Sequence, residues 1–158
     1  MPTSQKIIWQ KDEFKQRLLE IREIRAEDCW PIRQKVMWPD RSLEYVKLEK
    51  DEEGLHLGLF KGTRLISIIS VFVEGDRAQF RKFATLVEEQ GKGYGSKLLS
   101  HLLKEVETYP IASIFCNARI ERTTFYEKFG LQQSKHTFEK GGRSYVIMEK
   151  YLDNHSVG

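Results

Sequence analysis

The spacing of apolar residues changes sharply between residues 80 and 103, where the chain reads FRKFATLVEEQGKGYGSKLLSHLL. From Phe80 to Val87, aromatic and branched residues mix with polar ones, which is typical of a half-buried strand. After three glycines, apolar residues recur at helical spacing: Leu98, Leu99, Leu102, Leu103 and Val106. The pattern predicts a strand, a glycine-rich turn and an amphipathic helix.

Upstream of this segment, the same rules predict three strands and one helix. Alternation of apolar and charged residues predicts a first strand over 18–24. Acidic residues followed by Pro31 predict a helix that begins near Ala26 and ends before Pro39. Apolar runs on either side of Lys61-Gly62 predict a hairpin, and its second strand is almost continuously apolar, as central strands are.

Downstream, the pattern predicts a buried strand from Ile111 to Cys116, a helix from about 119 to 129 that ends at a left-handed Gly130, and a final hairpin. We therefore expect a single α/β domain over 1–158. Its mixed central sheet would have about six to seven strands flanked by helices, in the order β-α-β-β-β-α-β-α-β-β. Residues 1–17 would form an N-terminal extension and 153–158 a short polar tail.

Charge and hydropathy exclude several classes of partner. The formal net charge of +3 suits a polyanionic ligand but lacks the clustered basic stripe of a nucleic-acid-binding protein. No apolar run approaches the roughly 20 residues that span a bilayer, and the charged start of the chain is unlike a secretory signal. We expect no nucleic acid, no membrane association and a cytoplasmic location.

Cysteine and histidine positions give no sign of a metal. Cys29 and Cys116 lie in an apolar helix and an apolar strand by pattern, as reduced core residues do. The histidines show no ligand spacing: they are His56, His101, His136 and His155. We predict no metal site.

The three glycines of the turn, Gly91, Gly93 and Gly95, point to an anion. Glycine allows tight turns and removes the Cβ atoms that would keep a ligand from the backbone. The first N–H groups of the helix that follows have no internal acceptors and lie at the positive end of its dipole. Such a turn is suited to bind phosphate.

The spacing of these glycines can be compared with the known phosphate-binding motifs. The dinucleotide pattern G-x-G-x-x-G fails, because the sixth position is Ser96 or Leu98, and the Walker A pattern fails, because Leu98 follows Lys97. The run Gln90-Gly91-Lys92-Gly93-Tyr94-Gly95 fits Q/R-x-x-G-x-G/A, which resembles the pyrophosphate motif of the GNAT superfamily of acyl-CoA N-acyltransferases. A glycine-rich turn without a ligand is the alternative.

A second stretch, IASIFCNARIERTTFYEKFGLQ, strengthens this resemblance. It is similar to the family's next unit, a strand ending in Asn followed by a short helix with F-Y-E-K-x-G. FRKFAT together with CNAR further resembles small bacterial members of uncertain substrate. The resemblance implies a GNAT-like fold and acetyl-CoA as the co-substrate.

The resemblance also implies which residues would hold coenzyme A. Amides from Gly91 to Ser96 would take the pyrophosphate, with Gln90 bracing the loop and Lys92 and Lys97 adding charge. The preceding strand would part from its neighbour, so that backbone groups at Phe83 and Thr85 pair with pantetheine and polarise the thioester. The complete expected cofactor set is Phe83, Ala84, Thr85, Gln90, Gly91, Lys92, Gly93, Tyr94, Gly95, Ser96, Asn117 and Tyr126.

Two of these positions have structural alternatives. Asn117 matches the family's Asn at the strand end and would bind the cofactor, or would cap the next helix. Tyr126 matches the Tyr of the F-Y-E-K motif and would protonate the leaving thiolate as general acid. Its alternative is a packing tyrosine whose hydroxyl bonds to backbone.

The acceptor side is less determined. Trp38 lies in the segment 38–53, which covers the acceptor in the resembled family, and Arg81 and Arg119 are candidates to hold a substrate carboxylate. Relatives often carry a basic carboxylate on the parted strand, whereas this strand has Arg81 and Lys82 instead. The general base therefore stays open among Glu44, Glu74, His56 and a water chain.

The leading hypothesis is an N-acetyltransferase that moves an acetyl group from acetyl-CoA directly to a primary amine in a ternary complex. The acceptor would be a small-molecule amine or a protein amine. The alternative is a catalytically silent acyl-CoA sensor of the same fold, favoured by the missing strand carboxylate. Dimers are frequent in the resembled family, so a homodimer is also considered.

Overall fold

Within residues 18–152, which the computed structural model describes, the chain forms seven strands and three α-helices. The strands are β1 (Leu19–Ile24), β2 (Leu55–Lys61), β3 (Arg64–Glu74), β4 (Arg77–Thr85), β5 (Ser113–Arg119), β6 (Gln132–Lys140) and β7 (Arg143–Tyr151). The helices are α1 (Ala26–Met37), α2 (Tyr94–Val106) and α3 (Thr123–Glu127). The predicted extension, 1–17, and the predicted tail, 153–158, lie outside the described residues.

The strands form one sheet in the order β1-β2-β3-β4-β5-β7-β6. Every neighbouring pair is antiparallel except β4 and β5, which are parallel because α2 carries the chain between them. The predicted element order and the mixed α/β sheet are confirmed. Between residues 18 and 152, no helix has the length and apolarity needed to cross a membrane.

Helices cover both faces of the sheet. α2 buries the apolar stripe that its spacing predicted, namely Leu98, Leu99, Leu102, Leu103 and Val106, and it packs with α3 on one face. α1 packs on the other face, where Arg33 reaches Ser70 of β3. Because neighbouring side chains of a strand alternate between faces, Phe80 lies on the α2 face and Arg81 on the α1 face.

The sheet forks between β4 and β5. Their pairing is limited to Arg77–Ser113, Ala78–Ile114 and Gln79–Phe115, after which the two strands part. From Phe80 onward, β4 keeps β3 on one side, while its other edge faces a gap. The fork lies on the strand that leads into the glycine turn, where the resemblance implied a parted strand.

β4 also contains a bulge at the fork. Ser70 pairs with Arg81 but Ile68 pairs with Ala84, so Lys82 and Phe83 together oppose Ile69. Lys82 has φ 54, and it is the one non-glycine residue with positive φ in the described chain. The bulge redirects the side chains that follow Arg81.

Three predicted boundaries were wrong. The strand predicted to run to Val87 ends at Thr85, because Val87–Glu89 turns as a 3-10 helix before the glycines. The strand predicted to end at Cys116 continues to Arg119, since β7 pairs with it over its whole length. The helix predicted from about 119 to 129 is shorter, with a 3-10 turn at Ile120–Arg122 before α3.

Candidate functional site

The glycine turn contains left-handed backbone at two of its three glycines. Gly91 has φ 78 and Gly93, the N-cap of α2, has φ 85. A Cβ atom at either position would meet nothing within 4 Å, so the loop surface is open. At Gly95 a Cβ atom would lie 3.3 Å from the Phe83 ring, so this glycine allows α2 to approach β4 closely.

Six consecutive amides of this turn have no acceptor in the described part of the chain. The first helical bond of α2 runs from Lys97 N to Gly93 O at 3.1 Å, and the last bond before the glycines runs from Gln90 N to Val87 O. The N–H groups of residues 91–96 lie between these bonds and donate to no described residue. They concentrate positive potential at the start of α2.

Side chains fix the turn to the strand before it. The Gln90 amide donates to the Thr85 carbonyl at 2.9 Å, which is the bracing contact expected for this residue. The Lys92 ammonium donates a hydrogen bond to Glu89 at 3.1 Å. Glu89 is buried and also accepts a hydrogen bond from Lys61. Lys92 therefore brings its charge to the turn while holding a carboxylate.

The open edge of β4 presents backbone groups to the gap. Leu86 N donates to Ile66 O at 2.9 Å, and the Ala84 carbonyl receives Ser67 Oγ at 3.2 Å, so these two residues face β3. Backbone groups alternate in direction along a strand, so those of Phe83 and Thr85 face away from β3. They lie where an extended amide-containing chain could add to the edge.

Tyr126 lies at the apex of the fork. Its ring is tilted against Phe80, with centroids 5.9 Å apart, where β4 leaves β5. Burial, then the neighbouring Cys116, raises the pKa of the Tyr126 hydroxyl above its usual range, so it stays protonated at neutral pH. Within residues 18–152 the hydroxyl has no hydrogen-bond partner, which does not support the alternative of a hydroxyl bonded to backbone.

Asn117 lies within β5 and not at its end. It pairs with Ile147 of β7, and its side chain is exposed beyond the point where β4 has left. The turn that follows is capped by Arg119, so Asn117 is not a helix cap. Its amide is free for a ligand in the gap.

Trp38, Arg81 and Lys82 come together on the α1 face of the fork. Trp38 caps the C-terminus of α1, and the Lys82 ammonium lies 4.4 Å from the centroid of its ring. Arg81 lies beside Lys82, opposite Ser70. Arg119 ends β5, and its charge acts on the Tyr126 hydroxyl.

The candidate bases are placed elsewhere. Both ring nitrogens of buried His56 are engaged, Nδ1 with Ser70 Oγ and Nε2 with the Asp51 carbonyl, each at 2.7 Å. Glu44 is exposed and pairs with Lys47. Glu74 lies in the β3–β4 hairpin, at the opposite end of β4 from Thr85.

A buried ionic network that the sequence did not reveal anchors the segment 38–53. Arg33 forms a two-point ion pair with Asp51, at 2.8 and 2.9 Å, and also donates to Ser70. The Trp30 indole N–H and the Leu48 backbone N–H also donate hydrogen bonds to the Asp51 carboxylate. The segment 38–53 is therefore held to the sheet.

The arrangement can bind an anion at the start of α2, add an extended amide chain to β4 and present a protonated phenol at the apex. These features fit the three parts of an acyl-coenzyme A: diphosphate, pantetheine arm and thioester. No group of three or more His, Cys, Asp or Glu side chains in the described part of the chain could hold a metal ion.

Fold and loop together define an α/β domain with a forked sheet and a glycine-rich turn of unbonded amides at the fork. The family model for the acetyltransferase (GNAT) domain matches residues 32–152. A curated relative, the uncharacterized N-acetyltransferase YitI of Bacillus subtilis (strain 168), is 30% identical over 145 residues, which covers 85% of this chain and 97% of YitI. The chain belongs to the GNAT acetyltransferase family, as its motifs indicated.

Solved structures show the same fold. The ribosomal-protein-S18-alanine N-acetyltransferase of Escherichia coli superimposes with a TM-score of 0.71 at 19% identity, over 85% of this chain and 94% of that one. The PaiA N-acetyltransferase of Thermoplasma acidophilum, solved in complex with coenzyme A, gives 0.65 at 21% identity, over 85% and 99%. At these identities the likeness establishes the fold alone.

Proposed function

We propose that this protein transfers an acetyl group from acetyl-CoA to a primary amine, by direct attack in a ternary complex. The observation that carries the proposal is the row of six unbonded amides, 91–96, at the start of α2 beside the forked strands. An anion site and an open strand edge at one place serve a ligand that has both a diphosphate and an amide-bearing arm.

The residues of this chain divide the work of holding the co-substrate. Amides 91–96 bind the diphosphate, and Gln90 keeps the turn against β4. The edge of β4 at Phe83 and Thr85 carries the pantetheine arm, while the Ala84 backbone faces β3, and the exposed Asn117 of β5 binds the cofactor from the other strand of the fork. Bound in this way, acetyl-CoA supplies an activated thioester.

Two groups assist the transfer itself. An N–H group of the β4 edge polarises the thioester carbonyl and stabilises negative charge on its oxygen as the amine attacks. The bond to sulfur then breaks, the Tyr126 hydroxyl donates its proton to the departing thiolate, and the proton that the attacking nitrogen loses passes to solvent water, from which Tyr126 is reprotonated. Because burial keeps this phenol protonated, it is ready to act as the acid at neutral pH.

A second candidate function is a domain that binds acyl-CoA and transfers nothing. It is favoured by the acceptor side, where β4 carries Arg81 and Lys82 in place of a carboxylate, and where His56 has both nitrogens engaged. Thiol release separates the two functions, because a sensor binds the coenzyme without turnover in the presence of amines.

The test combines calorimetry with coenzyme A and thiol release from acetyl-CoA over a panel of amines. Gly91→Ala and Gly75→Ala form a matched pair, since both glycines have positive φ (78 and 64) and open space at Cβ. Both variants should lose similar stability, on the order of 1 kcal/mol, but only Gly91→Ala should weaken coenzyme binding. Equal affinity in both variants would reject the loop as the binding site.

We also make predictions about the location, assembly and acceptor of this protein. A cytoplasmic location, a homodimer and an acceptor that is either a small molecule or a protein remain predictions for this chain. Fractionation and sedimentation of the full-length protein would test the first two.

A further inference from the structure

Arg81 and Lys82 place two cations side by side without a counter-ion. Neighbouring residues of a regular strand point to opposite faces, but the bulge at Lys82 turns both side chains to the α1 face. Arg81 lies opposite Ser70, which Arg33 of α1 contacts, and Lys82 lies over Trp38 at the end of α1. Neither side chain forms an ion pair or hydrogen bond with another residue of 18–152.

Asp51 is the carboxylate whose charge reaches both, and it is already engaged. Its two oxygens accept hydrogen bonds from Arg33, the Trp30 indole and the Leu48 backbone N–H. Lys140, at the end of β6, adds a further positive charge to Lys82. The acceptor side therefore holds more positive charge than its own carboxylate balances.

Burial and the neighbouring positive charges lower the pKa of both side chains. Burial, then Arg81, Arg33 and Lys140, lowers the pKa of Lys82 to about 8, and burial followed by Arg33 lowers the pKa of Arg81. Half-buried cations that repel one another are costly unless an anion joins them. A ligand anion between them would supply that charge.

We propose that Arg81 and Lys82 form an anion subsite that selects acceptor amines carrying a carboxylate or phosphate group. The proposal rests on the acetyl-transfer function proposed above and assigns its class of acceptor. A guanidinium and an ammonium held together by a bulge match the two oxygens of a carboxylate or the oxygens of a phosphate. The rings of Trp38 and Tyr45 pack edge to face, with centroids 5.5 Å apart. They lie on the same side of the fork, where they would contact the rest of the acceptor.

The test compares amines that differ only in an anionic group. At saturating acetyl-CoA, kcat/KM is measured for 4-aminobutyrate against butylamine, and for O-phosphoethanolamine against ethanolamine. The wild type should favour the anionic member of at least one pair by tenfold or more, and the preferred pair identifies carboxylate or phosphate. Arg81→Gln and Lys82→Met should each reduce that preference about tenfold.

Matched controls remove exposed cations away from the fork. Arg22→Gln on β1 and Lys104→Met on α2 change net charge by the same amount, so they should leave the preference as in the wild type. A wild type without preference, or a preference that all four variants share, would overturn the anion subsite.

A binding arm separates this proposal from acetyl transfer itself. Butyrate and inorganic phosphate are titrated by calorimetry into the coenzyme A complex at fixed ionic strength. If no amine is acetylated but one of these anions binds and loses at least fivefold affinity in Arg81→Gln, acetyl transfer fails while the subsite stands. If neither anion binds and no preference is seen, the subsite is rejected.

Discussion

The side-chain amide of Gln90 donates to the carbonyl of Thr85 at 2.9 Å and so joins the glycine turn to the last residue of β4. Thr85 O faces the gap and not β3, because its neighbours Ala84 and Leu86 bond to β3. One contact therefore sets the distance between the amides that would hold a diphosphate and the edge that would hold its pantetheine arm.

Removing this contact should weaken coenzyme A binding. In Gln90→Ala the turn loses one hydrogen bond, worth about 1 kcal/mol, and its amides spend less time aligned. We expect the dissociation constant for coenzyme A, measured by calorimetry, to rise roughly fivefold to tenfold. Gln133→Ala, at an exposed position of β6, is the control and should bind as the wild type does. Equal affinity in both variants would show that the turn is held by other contacts.

The buried Asp51 should contribute strongly to stability. Its side chain is 4% exposed and forms an ion pair with Arg33, which is fully buried. Asp51→Ala leaves that guanidinium without its counter-ion, and breaking a buried pair in this way costs about 3–5 kcal/mol of unfolding free energy. Urea unfolding should show this loss, whereas Asp76→Ala in the exposed β3–β4 turn should change stability by less than about 0.5 kcal/mol. A small loss in Asp51→Ala would mean that water replaces the carboxylate.

Local causes explain what the sequence could predict. Gly91 and Gly93 adopt positive φ because of their own lack of a Cβ atom, and the α2 leucines follow the 3.6-residue period of one helix. These features depend on residues close in the chain, so pattern and motif were sufficient. The fold followed from two motifs that together indicated one family, whose model matches residues 32–152.

The features that the sequence could not predict depend on contacts between residues far apart in the chain. Arg33 and Asp51 are 18 positions apart and meet only because α1 and the following segment pack on the same strands. Asn117 was expected at a strand end, but pairing with β7 extends β5 past it. The bulge did leave a signal: Arg81 and Lys82 stand together between Phe80 and Phe83, which breaks strict alternation.

Tyr126→Phe should slow turnover and leave coenzyme binding unchanged. The substitution keeps the ring against Phe80 and removes the proton donor, and loss of a general acid lowers rates by about 10²-fold or more. Since burial raises the pKa of the hydroxyl, ionisation of Tyr126 should cause no loss of kcat up to about pH 10 in the wild type. Thiol-release kinetics and calorimetry measure both quantities.

Tyr151→Phe gives the matched control, because that side chain is 78% exposed at the end of β7. It should show the kcat of the wild type. An unimpaired kcat in Tyr126→Phe would remove this hydroxyl from the proton transfer and assign it a packing role.

The lowered pKa of Lys82 makes stability depend on pH. Its folded value of about 8 lies below the ordinary lysine value of about 10.4, so between these values the unfolded chain binds the extra proton. Stability of the wild type should therefore rise as pH increases from 8 to 10. Below pH 8 both states are protonated, and the destabilisation by burial and then by Arg81, Arg33 and Lys140, only partly offset by Asp51, is fully present.

Lys82→Met removes that charge and keeps a flexible side chain against Trp38. We expect the variant to be more stable than the wild type at pH 7 by about 1 kcal/mol, a value kept small because the site is partly open to solvent. The difference in unfolding free energy should shrink toward pH 10, as the wild type loses its proton in the folded state. Urea unfolding at pH 7, 8.5 and 10 measures it, with Lys104→Met as the exposed control, for which no trend with pH is expected. A difference for Lys82→Met that stays constant over this range would mean that Lys82 keeps its proton, and that an anion or water already balances its charge.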